Sequence, residues 1–361
     1  MIQSDRLQLS STVLAKLNAR YPLLDLRSLQ AQGASLTDPY LHAPHQCSEF
    51  LLMQPSKFSH KRYLKTILRK LVFLYSTSEP YISQDFFAKI VDYAPWHSKF
   101  HKLDLAIRGL LLRRDKAISP RISSRKIRKA KSLFIPSHEL ENFIALHGKE
   151  VRAKVILCGS SDFNFIQKPI LPLSVDICLF QNSAISNDKT IYTLPIGLEN
   201  LSLGRSGMKK YHRFDDSFRW SDRILVPPMS PTNLVRYEVL LWARNNPELA
   251  DVRYQLLEVD EYFRLTKKYK FIFCSEGNGF ENHRIWETLY QGSFPVMLRS
   301  EWSVSLNYLK LPILFINTVE ELNREILEEH YANNRNFHPD ACAPLWSSYW
   351  KRWINSAADS V

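Results

Sequence analysis

The sequence predicts an α/β protein with two parallel-sheet domains, a helical basic region in front of them and an aromatic helix behind. Three observations carry this. The chain has 361 residues, which suits two domains of roughly 100–200 residues. From residue 154 onward, short apolar runs ending in polar residues or glycine recur in two sets, the pattern of buried parallel strands joined by helices or loops. The turn-rich segment DRILVPPMSP (222–231) separates the two sets. The expected division is 1–225 (mostly helical and basic to 130, α/β from 150), 226–340, and a closing helix over 341–361.

In HKRYLKTILRKLVFLY, Leu64, Ile67, Leu68, Leu71 and Val72 recur at helical spacing among lysines and arginines. RISSRKIRKAK (121–131) is too polar for a core and reads as a surface loop or helix. The first set of strands is Lys154–Gly159, Asp176–Gln181 and Thr190–Ile196. The second is Arg223–Pro227, Tyr269–Cys274, Phe294–Leu298 and Ile313–Ile316, with helices at Asn233–Arg244 and Asn282–Gln291. At the end of the chain Trp346, Trp350 and Trp353 fall on one helical face. That face packs on the body or, flanked by Lys351 and Arg352, anchors at a membrane interface.

A hydrophobic fraction of 45% excludes global disorder. The five cysteines are scattered with no CxxC pair, which argues against a disulfide framework and for a reducing compartment. No run approaches the ~18 uncharged apolar residues of a membrane span, and the N-terminus lacks the apolar core of a secretion signal. A soluble, cytoplasmic protein is expected. The net charge of +12 is concentrated: residues 57–131 hold 19 Lys and Arg against 5 Asp and Glu. Such a region attracts an anionic partner, or is simply a solvated helical surface.

Three of the ten glycines fall in CSEGNGFENHRIWETLYQGSFPV (274–296). The stretch is not a dinucleotide fingerprint, because a GxGxxG match from Gly277 meets Asn282 where glycine is required. It still predicts strand, glycine loop and a helix capped by Asn282, whose first N–H groups suit a phosphate. Ile285, Trp286, Leu289 and Tyr290 face the core of that helix, with Arg284 and Glu287 on the other side. An arginine fork matches phosphate oxygens and a carboxylate accepts both ribose hydroxyls; alternatively the two form an exposed ion pair of little energy.

Taken whole, residues 269–298 resemble the C-terminal motif of exostosin-type glycosyltransferases and their bacterial relatives. The matching positions run from Ser275, Gly277, Asn278, Gly279 and Glu281 through His283, Arg284, Trp286, Glu287 and Leu289 to Gly292, Pro295 and Val296. LFQNSAISNDKTIYTLPIGLEN (179–200) and SPTNLVRYEVLLWA (230–243) resemble two further segments of that family in the family's order, so the likeness covers about 150–330. It implies a GT-B fold, with two Rossmann-like domains facing a cleft and the donor in the C-terminal one.

The resemblance further implies a sugar transferred from a nucleotide-sugar donor to a glycan or lipid-linked glycan acceptor, in cell-surface polysaccharide or lipopolysaccharide synthesis. Arg236 and Arg284 would neutralise the diphosphate, Glu287 would hold the ribose, and Gly277 and Gly279 would let the backbone approach the donor. His283 would bond phosphate or sugar; Ser275 belongs to the same donor loop, and Asn233 and Asn278 would position it. No Asp-x-Asp occurs, so no metal and no cofactor is expected. A Glu-x7-Glu spacing is also absent, which leaves the stereochemistry open. Asp162 and Glu199 are the candidate bases, with His212 a third. The basic region 57–131 would hold the enzyme against an anionic membrane, and no nucleic acid is expected. The rival readings are a polyanion- or nucleic-acid-binding protein and an inactive GT-B scaffold.

Overall fold

The computed structural model describes residues 80–97, 120, 122–186, 188–200, 206–215, 221–229 and 234–359. Most of the basic region, the whole helical reading of 1–79 and Asn233 lie outside them. All the described residues belong to one unit, Phe58–Val361.

Two parallel sheets form its frame. The first orders its strands as they occur: β1 (Ser132–Pro136), β2 (Val155–Gly159), β3 (Ile177–Phe180) and β4 (Ile191–Thr193). Every residue of β1 and β2 is buried, which is why such strands read as unbroken apolar runs. The second sheet holds β5 (Ser221–Val226), β6 (Ala250–Val252), β7 (Tyr269–Phe273), β8 (Phe294–Leu298) and β9 (Leu314–Ile316). Its order is β6-β5-β7-β8-β9, all parallel. The chain therefore steps out from β5 to β6 and returns on the other side of β5. At such a reversal the loops leaving the carboxyl ends of β5 and β7 diverge and open a crevice.

The helices in chain order are α1 (Gln84–Ile90), α2 (Ser124–Lys129), α3 (Leu140–His147), α4 (Leu234–Asn245), α5 (Val259–Thr266), α6 (His283–Tyr290), α7 (Glu301–Ser305), α8 (Arg324–Asn334) and α9 (Ser347–Asp359). Part of the polar stretch 121–131 is helix α2, and β1 follows it directly. Strands β1 and β6 and helices α3, α5, α7 and α8 are additions to the sequence reading.

One apolar cluster joins the two sheets. Phe134, Leu157 and Leu179 of the first sheet share it with Leu225, Ile272 and Met297 of the second, and with Trp286 and Trp350. The opposite face of the first sheet packs Leu133, Ile135 and Ile156 against Phe143 of α3 and Ile127 of α2.

Helix α9 lies against β2. Trp350 is fully buried, meets Phe87 edge-on at 5.5 Å and donates its indole N–H to the Pro344 carbonyl. Trp353 packs on Tyr192, and Trp346 donates to the Pro339 carbonyl. The tryptophan stripe thus packs back on the body, with Trp350 buried and Trp346 and Trp353 half-buried. Among the described residues no helix is long and apolar enough to cross a membrane. Cys158, Cys178 and Cys274 are free, buried thiols, and burial pushes Cys274 up to about 12.

Candidate functional site

The site grows from the strand–loop–helix unit β7–α6. Strand β7 brings the chain to the carboxyl edge of the sheet, where a turn closed by Gly277 N–H on the Gly279 carbonyl (3.0 Å) redirects it. Asn282 starts α6: its Oδ1 accepts from Ile285 N–H at 3.3 Å and its Nδ2 donates back to the Ser275 carbonyl at 2.7 Å. Ile285, Trp286, Leu289 and Tyr290 are buried as their spacing requires.

A cleft of about 400 Å³ opens where the sheet order reverses. The loop after β5 contributes Pro228, and Arg236 follows on the first turn of α4. The segment after β6 contributes Leu256, Leu257, Val259 and Tyr262, while α6 and its cap contribute Asn282, His283, Arg284 and Glu287. Glu199 and Ser206 complete the lining from the segment that follows β4.

The two arginines cross. Arg236 Nε donates to the Glu276 carbonyl at 2.7 Å, in the loop after β7. Arg284 Nη2 donates to the Pro228 carbonyl at 2.9 Å, in the loop after β5. Burial, then the charge of Arg284, lowers the Arg236 guanidinium to about 10, so both remain cationic at neutral pH. Two positive groups drawn together in a half-buried crevice are a receptor for negative charge.

Arg284 and Glu287 do not form the exposed ion pair that the helix alone allows. Glu287 is only 6% exposed, and the Tyr262 hydroxyl joins the two residues. It accepts from Arg284 Nε at 3.2 Å and donates to Glu287 Oε2 at 3.2 Å. Burial and then Glu287 raise the Tyr262 pKa, which keeps its proton in place. Burial raises the Glu287 pKa too, opposed by hydrogen bonds and by His283 and Arg284.

Glu199, Arg236, His283, Arg284 and Glu287 therefore meet around one cavity. His283 Nδ1 lies 2.7 Å from the Gly197 carbonyl, so Nδ1 carries the proton and orients the ring. Glu199 Oε2 accepts from Ser206 N–H and Oγ at 3.1 and 3.3 Å, and Gly207 permits the turn because a Cβ there would lie 1.9 Å from the Glu199 carbonyl oxygen. His212 sits behind this turn, 2.6 Å from the Ser206 carbonyl. It is lowered to about 4 by burial, a buried support directly behind the cleft lining and not part of it.

Asp162, Asn278 and Gly279 lie elsewhere. Asn278 Nδ2 donates to Asp162 Oδ2 at 3.2 Å, joining the loop after β2 to the loop after β7 outside the lining of this cavity. Gly279 is seated on Asn182: a Cβ would come 2.7 Å from its Oδ1, which already accepts from Glu281 N–H at 2.9 Å. At Gly277 a Cβ would meet only Arg236 Nη2, at 3.2 Å. Ser275 is buried and its Oγ has no hydrogen-bond partner among the described residues.

Tyr262, Ser206, Asn182 and the role of Glu281 are additions of the fold. Glu281 is 4% exposed and accepts from Ile196 N–H at 2.8 Å and from Trp286 Nε1 at 2.5 Å. It thereby ties the second sheet's loop to the segment following β4. Tyr262 carries the one usable signal, an amphipathic run with Phe263 and Thr266 buried below it. Among the described residues no group of three His, Cys, Asp or Glu is arranged to hold a metal ion. No family model and no curated protein sequence matches the chain.

Proposed function

We propose that this chain is a GT-B-type glycosyltransferase that takes a sugar from a nucleotide-sugar donor and passes it to a glycan or lipid-linked glycan acceptor. The crossed arginines at the β5/β7 reversal carry the reading, because they offer two guanidinium groups to one anion beside the amino end of α6. A nucleoside diphosphate fits that charge. Arg236 and Arg284 stabilise the negative charge that builds on the diphosphate as the glycosidic C–O bond breaks, and the N–H groups opening α6 add their dipoles. Glu287, braced by Tyr262, accepts the ribose hydroxyls, while Leu256, Leu257 and Val259 give the base an apolar wall.

The acceptor hydroxyl attacks the anomeric carbon and gives up its proton to a base. Glu199 lines the donor cleft and Asp162 does not, which favours Glu199. Free buried thiols suit a reducing compartment, consistent with a cytoplasmic enzyme acting on cell-surface polysaccharide or lipopolysaccharide precursors.

Calorimetric titration with UDP-, GDP- and CMP-sugars tests this, read together with slow donor hydrolysis and with Arg284→Ala and Glu287→Ala as controls. One nucleotide-sugar class binds the parent chain, and both variants lose it. Normal binding by the variants, or binding of no nucleotide sugar, overturns the assignment.

A further inference from the structure

The loop joining β2 to β3 carries large aliphatic side chains into solvent. Ile166 is 66% exposed, Ile170 89% and Leu173 105%, and Leu146 at the end of α3 is 68% exposed. A Cβ at Gly148 would lie 4.0 Å from the Pro172 ring, and Ser174 Oγ donates to the Val151 carbonyl at 3.1 Å. The turn that follows Leu146 therefore rests on the loop segment that presents Leu173, and Ile166 and Ile170 are exposed on the same loop. Exposed apolar patches of this kind mark interaction surfaces.

Basic residues cluster on the turn beside Leu146 and on the adjoining helix α2. Lys149 and Arg152 are exposed on the same turn. Helix α2 adjoins it through Arg128, which pairs with Glu150 at 3.2 Å, and presents Arg125, Lys126 and Lys129 to solvent. Among the described residues no carboxylate forms an ion pair with these five other bases. Exposed aliphatic residues beside a cluster of cations match an anionic surface with an apolar interior. A bilayer needs no concave partner surface to receive a side chain as exposed as Leu173, and its anionic head groups attract the surrounding lysines and arginines.

We propose that Leu146 and Leu173, with Ile166 and Ile170 on the same loop, insert beside the bases of α2 and of 149–152 into the head-group layer of an anionic phospholipid membrane. The contact is distinct from attraction through the basic region as a whole, because it depends on aliphatic insertion. It stands apart from the donor cleft and does not require the transferase reading.

Flotation of the full chain with vesicles of phosphatidylcholine plus phosphatidylglycerol, and of phosphatidylcholine alone, tests it. The parent protein floats with the anionic vesicles and is partly released by salt. Ile170→Ser combined with Leu173→Ser lowers partitioning about tenfold or more with thermal stability unchanged, since both side chains are exposed. Lys129→Glu combined with Lys149→Glu lowers it at low salt only. Equal flotation of the aliphatic double variant overturns the proposal, leaving general electrostatic attraction. Absence of flotation at low salt overturns it as well. So does a lipid-free self-association, seen by sedimentation velocity, that the double variant abolishes; the face would then belong to a second copy of the chain.

Discussion

Arg236 and Arg284 each hold the loop from which the other's helix departs: Arg236 Nε bonds the Glu276 carbonyl at 2.7 Å and Arg284 Nη2 the Pro228 carbonyl at 2.9 Å. Each side chain is thereby a strut between adjacent parallel strands and a charge facing the cleft. The two roles separate experimentally. Arg284→Lys retains a cation and loses the fork, while Arg284→Ala loses both. A charge-assisted hydrogen bond contributes about 1.5–3 kcal/mol, so both substitutions lower stability by that order in denaturant unfolding. Nucleoside-diphosphate binding falls further in the alanine variant than in the lysine variant. Equal affinity in the two would assign Arg284 a structural role alone.

Tyr262 converts Arg284 and Glu287 into a connected triad. Tyr262→Phe keeps the ring and removes the hydroxyl that accepts from one residue and donates to the other. Loss of a buried partner costs about 1–3 kcal/mol, and the Glu287 carboxylate, deprived of a donor, is raised further. The expected outcome is a measurable fall in thermal stability together with weaker nucleotide binding. Unchanged binding would show that Glu287 needs no brace.

The two glycines of the loop differ in what a methyl group would strike. At Gly279 it meets Asn182, whose amide is fixed by Glu281 N–H and by the Ser161 carbonyl. At Gly277 it meets the far end of Arg236. Gly279→Ala is therefore expected to destabilise by about 1–3 kcal/mol, the range for overpacking, and Gly277→Ala by less. Asn182→Ala should partly relieve Gly279→Ala, because neighbouring changes are non-additive. A double-mutant cycle in urea measures this.

The sequence anticipated the parts of the fold that depend on local pattern. Strands β2, β3, β7 and β8 are apolar runs bounded by polar residues or glycine, and their limits fall within a residue or two of expectation. The inward face of α6 follows from spacing alone. Strand β1 escaped because its short apolar run, Leu133–Ile135, comes one residue after a strongly basic stretch, which drew the segment to the surface. Strand β6 escaped because it is three residues long and carries Asp251 at a sheet edge. The site was legible where one helix supplied it, at His283, Arg284 and Glu287. Tyr262 lies 22 and 25 residues from its partners, and only the sheet order brings it to them. Asp162 follows β2, and the loop that carries it turns toward Asn278.

Glu281 makes stability depend on pH in a direction unusual for a carboxylate. Burial raises it to about 8, against the hydrogen bonds from Ile196 and Trp286 that favour ionisation; its Oε2 has no hydrogen-bond partner among the described residues. In the unfolded chain a glutamate titrates near ~4.3. Between these values the folded protein retains a proton that the unfolded chain has released, so stability falls as pH rises, by up to about 1.4 kcal/mol per pH unit. His212, lowered to about 4, acts oppositely: its contribution is lost as pH falls below the ordinary histidine range, ~6.5. Glu281→Gln isolates the first effect, since it removes the ionisation and leaves His212 intact. The difference in unfolding free energy between Glu281→Gln and the parent should grow in favour of the variant from pH 5 to pH 8. A difference that is flat across that window would mean that Glu281 is ionised throughout, with solvent reaching the junction between the two sheets.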